Sequence, residues 1–138
     1  MKVRLAKVGP VAFEATAGSG GQAIIDGKEA IGGEGRGMRP MEALLMALGS
    51  CSAMDVVYIL RKQKEPLDDL TIDVDAERGE GNPSPFTAIH LTFTATGTGL
   101  SEKKVQRAVA LSVEKYCSVG LSLSDAIAVT HETVVREG

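Results

Sequence analysis

The amino-acid sequence predicts an α+β fold with the element order βββ-α-ββ-α-β. Three observations point to it. Short stretches of apolar–polar alternation recur along the chain, one long apolar segment (Ala43 to Leu60) lies between Pro40 and Pro66, and a second helical periodicity follows Ser101. The length of 138 residues is that of one ordinary domain, so residues 1–138 are read as a single unit.

Taken in order, Lys2–Lys7 and Val11–Ala17 alternate on either side of Gly9-Pro10, which predicts a β-hairpin. A third short strand, Gln22–Asp26, follows the Gly18-Ser19-Gly20-Gly21 turn. Asp26-Gly27 closes it, and the glycine-rich stretch to Met38 is expected to be mobile. Pro40 suits a first helical turn, and Glu42 complements the positive end of the helix dipole. A helix over Met41–Lys64 follows, roughly 36 Å long at 1.5 Å per residue. Its apolar first half suits core burial, its basic end (Arg61, Lys62, Lys64) suits emergence into water, and Pro66 stops it. Leu70–Arg78 sets Ile72, Val74 and Ala76 against Asp73, Asp75 and Glu77, and Phe86–Thr96 alternates likewise. These are two strands of a half-solvated antiparallel sheet, joined by the Gly79–Pro85 loop. Ser101 caps a second helix in which Val105, Val109, Ser112 and Tyr116 fall three or four apart, with Cys117 at its end. A last strand over Ala126–Arg136 completes the order.

Composition narrows the function. A net charge of −3 with interspersed signs lacks the clustered Lys and Arg that nucleic-acid binding needs. The first residues alternate charged with apolar instead of forming a signal peptide, so the expected compartment is the cytosol. Ala43–Leu60 is long enough for a membrane span, but Asp55 lies inside it, and a carboxylate at mid-bilayer costs about 2.5 to 3.5 kcal/mol. The expectation is a buried central helix with no membrane role. Two cysteines far apart in sequence are no disulfide scaffold; in a reducing compartment they are either packing or redox chemistry.

Cys51 sits in Leu48-Gly49-Ser50-Cys51-Ser52-Ala53, a run of small residues that lets another element approach closely. A buried cysteine is often only a small hydrophobe, and sequence alone does not show that Cys51 and Cys117 meet. To act as a nucleophile Cys51 must ionise, and burial opposes that. It lies too far into the helix for the dipole to help, and Asp55, four residues on, adds an adverse charge. A cation is needed. Arg36 and Arg39, in or beside the glycine-rich loop, are the nearest candidates in sequence, and a partner chain is another source.

Gly37-Met38-Arg39-Pro40-Met41-Glu42-Ala43-Leu44-Leu45, leading through Ala47-Leu48-Gly49-Ser50-Cys51, with a later Cys117 after a second helix, resembles the OsmC/Ohr family of organic hydroperoxide reductases. The element order matches over nearly the whole chain. The resemblance implies an intertwined homodimer, with antiparallel sheets wrapped around long central helices and both active sites at the subunit interface. It further implies that Cys51 attacks the peroxide, becomes a sulfenic acid and is resolved by Cys117, and that an external dithiol such as a lipoyl group restores the thiols without a bound cofactor. Pro40 stands at the family's distance before Cys51. The family's acidic residue after that proline is Met41 here, and Glu42 comes one position later. Nine residues at roughly 100° each place Glu42 on the helix face opposite Cys51. Ser118 stands where the family often has proline. These departures resemble a divergent OsmC-like subgroup.

Other chemistries fit less well. Gly32–Gly37 lacks the last glycine of a dinucleotide motif, since Met38 occupies it. The two cysteines and two histidines show no zinc-ligand spacing. His90 alternates with Ile89 and Leu91 toward water, and His131 is read as structural. Met38, Met41, Met46 and Met54 flank Cys51 in sequence, but helical methionine is more often core filler than a copper ligand. The non-enzymatic alternative is a redox-sensing or ligand-binding dimer of the same fold. Turnover separates the two, since an enzyme consumes many equivalents of peroxide and a sensor about one.

Overall fold

A computed structural model describes all residues, Met1–Gly138. The chain forms two compact units, Met1–Leu45 and Met46–Gly138. In the first, β1 (Val3–Lys7), β2 (Phe13–Ala17) and β3 (Gln22–Ile25) form an antiparallel sheet in the order β1-β2-β3. β2 begins two residues later than its alternation predicts because the hairpin turn extends to Ala12, whose carbonyl accepts from Val8 N at 2.9 Å.

The glycine-rich stretch after β3 departs from expectation. It is ordered around Asp26, which is 2% exposed. The Asp26 carboxylate accepts from the backbone N–H of Gly27 (2.8 Å), Glu34 (3.0 Å) and Arg36 (3.1 Å). A short 3-10 turn, Glu29–Ile31, lies inside this loop. The backbone donors of Arg36 and Glu34 hold the Asp26 carboxyl below its usual 3.8, outweighing the upward pull of desolvation.

Helix α1 (Pro40–Lys62) starts in the first unit and continues through the second. It ends two residues before the predicted limit. Lys64 takes a left-handed φ of 56°, Lys64 N bonds to Arg61 O at 3.0 Å, and Glu65 N reaches back to Leu60 O at 3.0 Å. That is a C-terminal cap of the Schellman kind, and it accords with Pro66 disfavouring helical geometry at Glu65. Burial along α1 is confined to one face, at Leu48, Gly49, Ser52, Val56 and Leu60. The expected burial of the central helix is therefore one-sided within the single chain. By length and hydropathy alone α1 could span a bilayer, yet its buried face packs on protein. A Cβ at Gly49 would stand 3.2 Å from Val74 Cγ2, so the absence of a side chain lets the helix lie close to the sheet.

That sheet is built from β4 (Asp69–Arg78), β5 (Phe86–Thr96) and β6 (Ala128–Arg136), in the order β4-β5-β6. β4 and β5 pair antiparallel as expected, with an irregularity at Glu77/Arg78. β6 pairs parallel to β5, from Ala88↔Ala128 to Thr96↔Arg136, where an antiparallel pair was expected. A parallel neighbour needs a crossover connection. It is supplied by α2 (Glu102–Leu111), a π-turn (Ser112–Tyr116) and the short helix α3 (Ser118–Ser122). Ser101 caps α2 by accepting from Lys104 N at 3.3 Å. Glu65 accepts from Ser101 N at 2.9 Å and pairs with Lys104 at 2.8 Å, which ties the end of α1 to the start of α2. Leu91, Phe93 and Ala95 of β5, with Val105, Ala108 and Val109 of α2, are fully buried and form the core with the inner face of α1.

Candidate functional site

The site lies within the second unit. α1 supplies Cys51, half-buried, and the crossover supplies Cys117, which is 1% exposed; both are free thiols. The Cys51 sulfur lies close enough to Cys117 to shift its titration, so residues 66 positions apart in sequence (117 less 51) are neighbours in space.

Local structure explains why they meet. After α2 the helix widens by one residue. Cys117 N donates to Ser112 O at 2.9 Å, a bond spanning five residues instead of four. Immediately afterwards the backbone of Cys117 turns extended (φ −70°, ψ 106°) and caps α3, its sulfur accepting from Gly120 N at 3.3 Å. The Cys117 thiol also faces Leu48 O at 4.0 Å, the carbonyl one turn before Ser52 on α1. Ser52 Oγ is buried without a hydrogen-bond partner, and it lies beside the Cys117 sulfur, whose ionised form it favours.

The two thiols stand in different environments. Burial, the largest influence, pushes Cys117 above its ordinary 9.0, and the neighbouring Cys51 sulfur adds to the rise both as hydrogen-bond partner and as charge. Ser52 and the Gly120 N–H pull the other way without prevailing. Cys117 is thus a protonated thiol at neutral pH beside a half-exposed Cys51. A half-exposed sulfur can meet a solute, whereas a buried one can meet only its neighbour.

Asp55 has a role the sequence did not reveal. Its Oδ2 lies 3.0 Å from Ser112 Oγ, and the same hydroxyl lies 3.1 Å from Ser52 O. The charge read as a neighbour of Cys51 is thus engaged with the crossover. Ser52, Ser112 and Gly120 are not singled out by the sequence. The available signal was a serine at a helical position otherwise filled by core residues.

The predicted arginines and Glu42 belong to the first unit. Arg36 Nη1 donates to Val8 O, which anchors that side chain to the hairpin turn. Glu42 Oε1 accepts from Arg39 N at 2.8 Å, a capping bond at the start of α1 in keeping with its place on the helix. The Arg39 side chain is exposed and forms no ion pair within the chain. His90 bonds Thr130 (2.7 Å) and Glu132 (3.2 Å) on the open sheet face, and His131 lies 3.7 Å from Glu114, so both have ordinary structural partners. No cluster of metal-binding side chains occurs.

The family model described as "OsmC-like protein" matches residues 33–132. Protein YhfA of Escherichia coli strain K12 is 42% identical over 131 residues, covering 95% of each chain. The crystal structure of a hypothetical protein from Aquifex aeolicus VF5 superposes with a TM-score of 0.80 at 31% identity, covering 97% of this chain and 96% of that one. The structure of an organic hydroperoxide resistance protein OsmC from Legionella pneumophila shares the fold at 16% identity, with a TM-score of 0.69 over 96% of this chain and 95% of that one. By family match, relatives and fold together, the chain belongs to the OsmC-like protein family.

Proposed function

We propose that this protein is a cysteine-based peroxidase that reduces organic hydroperoxides in the cytosol and works as a homodimer. The observation that carries this reading is the pair of neighbouring free thiols, one half-exposed and one buried and protonated. In the first step the Cys51 thiolate attacks the terminal oxygen of the hydroperoxide. The S–O bond forms, the O–O bond breaks, and the alkoxide leaves and takes a proton from water to become the alcohol. Cys51 is now a sulfenic acid, oxidised by two electrons. Cys117 then attacks that sulfur, the S–O bond breaks, and the hydroxide leaves as water with the Cys117 proton. An external dithiol reduces the disulfide and becomes a disulfide itself.

The name of the Legionella relative, an organic hydroperoxide resistance protein, supports the substrate class. Of the two arginines proposed to serve the thiolate, Arg36 is occupied by Val8 O, which leaves Arg39 as the free guanidinium. The dimer is supported by the outer face of α1. Met46, Met54 and Tyr58 are 53%, 70% and 59% exposed and stand at multiples of four residues, an apolar stripe too large to be left in water without purpose.

The test is turnover with an organic hydroperoxide and excess dithiol. The wild type consumes many equivalents per chain. Cys51→Ser consumes none, and Cys117→Ser accumulates a sulfenic acid at Cys51 that dimedone traps. Full activity in Cys51→Ser would overturn the mechanism, and consumption of a single equivalent by the wild type would make the protein a sensor.

A further inference from the structure

We infer that Ser112 is a positioning residue that sets the register between Cys51 and Cys117. The inference rests on the disulfide step proposed above and names the group that makes it fast. Ser112 lies at the junction of α2 and the π-turn and is fully buried. Its two ends fasten two different things. Its carbonyl accepts the N–H of Cys117 at 2.9 Å, which closes the wide turn and fixes the backbone of the resolving residue. Its hydroxyl reaches α1, 3.1 Å from Ser52 O and 3.0 Å from Asp55 Oδ2. Ser52 is the residue after Cys51. A chain of hydrogen bonds thus runs from the backbone of one cysteine, through Ser112, to the residue beside the other.

This link bears on geometry more than on bulk stability. A disulfide requires a narrow range of Cα separations and dihedral angles, with the sulfurs about 2 Å apart once joined. A π-turn carries one more residue than an α-helical turn. If it relaxed to α-helical geometry, Cys117 would rotate about the helix axis by roughly 100°, the angle per residue, away from α1. Closure of the wide turn on Ser112 O, with the same residue held to α1, opposes that relaxation. Apolar packing alone, by Val105, Ala108 and Val109, secures the helix against the sheet but does not choose between the two turn geometries. Ser112 has one hydroxyl proton and two acceptors within reach. Loss of either acceptor leaves the link weakened, and loss of the hydroxyl removes it.

The experiment uses diamide, a two-electron oxidant that removes the hydrogens of both thiols and becomes a hydrazine, so that no peroxide chemistry is needed. The full-length protein is oxidised at neutral pH, and closure of the Cys51–Cys117 disulfide is followed by the loss of free thiols. Equilibration with a reference dithiol then gives the effective concentration of one thiol at the other. In Ser112→Ala, both the closure rate and the effective concentration fall about tenfold or more, while Ser112→Thr, which keeps the hydroxyl, restores most of both. Alkylation of Cys51 in the Cys117→Ser background stays within twofold on adding Ser112→Ala, because the first thiol does not depend on the register. Closure in folded Ser112→Ala at the wild-type rate and effective concentration overturns the inference. Should Ser112→Ala fail to fold, Asp55→Ala is compared with Asp55→Asn, which removes the same charge but keeps an acceptor for Ser112: closure is two- to threefold slower in Asp55→Ala, and equal rates overturn the inference. If the wild type closes its disulfide with diamide but not with a hydroperoxide, the peroxidase reading fails and the role of Ser112 stands.

Discussion

The division of labour between two identical functional groups is set here by a few neighbouring atoms. Cys117 is buried against Leu48 and Gly120 and held as a thiol, and Cys51 keeps part of its surface open. Under limiting iodoacetamide at neutral pH, Cys51 is modified first and Cys117 is protected. Because burial and Cys51 raise the folded Cys117 above 9.0, its alkylation rate should still be climbing with pH at that value and reach its midpoint above it; a midpoint below it would contradict the environment described. At Gly49 the close approach of Val74 leaves no room for a large side chain. Gly49→Leu should lower stability by about 1–3 kcal/mol, as overpacking typically does, read from thermal melts. The small-residue run made both Gly49 and Cys51 legible in the sequence. Ser112 was legible only as a polar residue on a helical spacing, because its partners depend on a π-turn that no spacing rule foretells. Asp55 was legible only in part for the same reason: its relation to Cys51 is local and visible, whereas its bond to Ser112 comes from a residue 57 positions away.

At the scale of elements, strands and helices declare themselves by period, but their pairing does not. β6 alternates equally well as a parallel or an antiparallel neighbour, and only the crossover through α2 and α3 decides. The glycine-rich loop shows the opposite error, since its composition signals mobility while one buried carboxylate orders it. That order has a pH dependence of known sign. Asp26 titrates below 3.8 when folded, so its contribution is full above 3.8 and fades as pH falls through the lower folded value. Hydrogen-exchange protection of the Glu34 and Arg36 amides should therefore hold above that pH and drop below it. In Asp26→Asn it should be weak throughout, and protection in that variant equal to the wild type would show that the carboxylate does not order the loop.

For the whole molecule, the outer face of α1 is the feature that one chain leaves unexplained. The sequence marks the helix as apolar, but a long apolar helix reads the same whether it is covered by its own sheet or by a second copy. Burial on one side only, with Met46, Met54 and Tyr58 open on the other, accords with the second case. Met54→Asp should convert the proposed dimer to monomer in sedimentation at micromolar concentration; an unchanged dimer would place the interface elsewhere, and a monomeric wild type would remove the proposal. Peroxide reduction and disulfide closure can be followed in a single reaction. Reduced protein is mixed with one equivalent of an organic hydroperoxide, quenched by alkylation, and digested for mass spectrometry. A single peptide pair linked through Cys51 and Cys117 is expected, formed together with one equivalent of alcohol. Recovery of both cysteines alkylated, with the hydroperoxide intact, would contradict it.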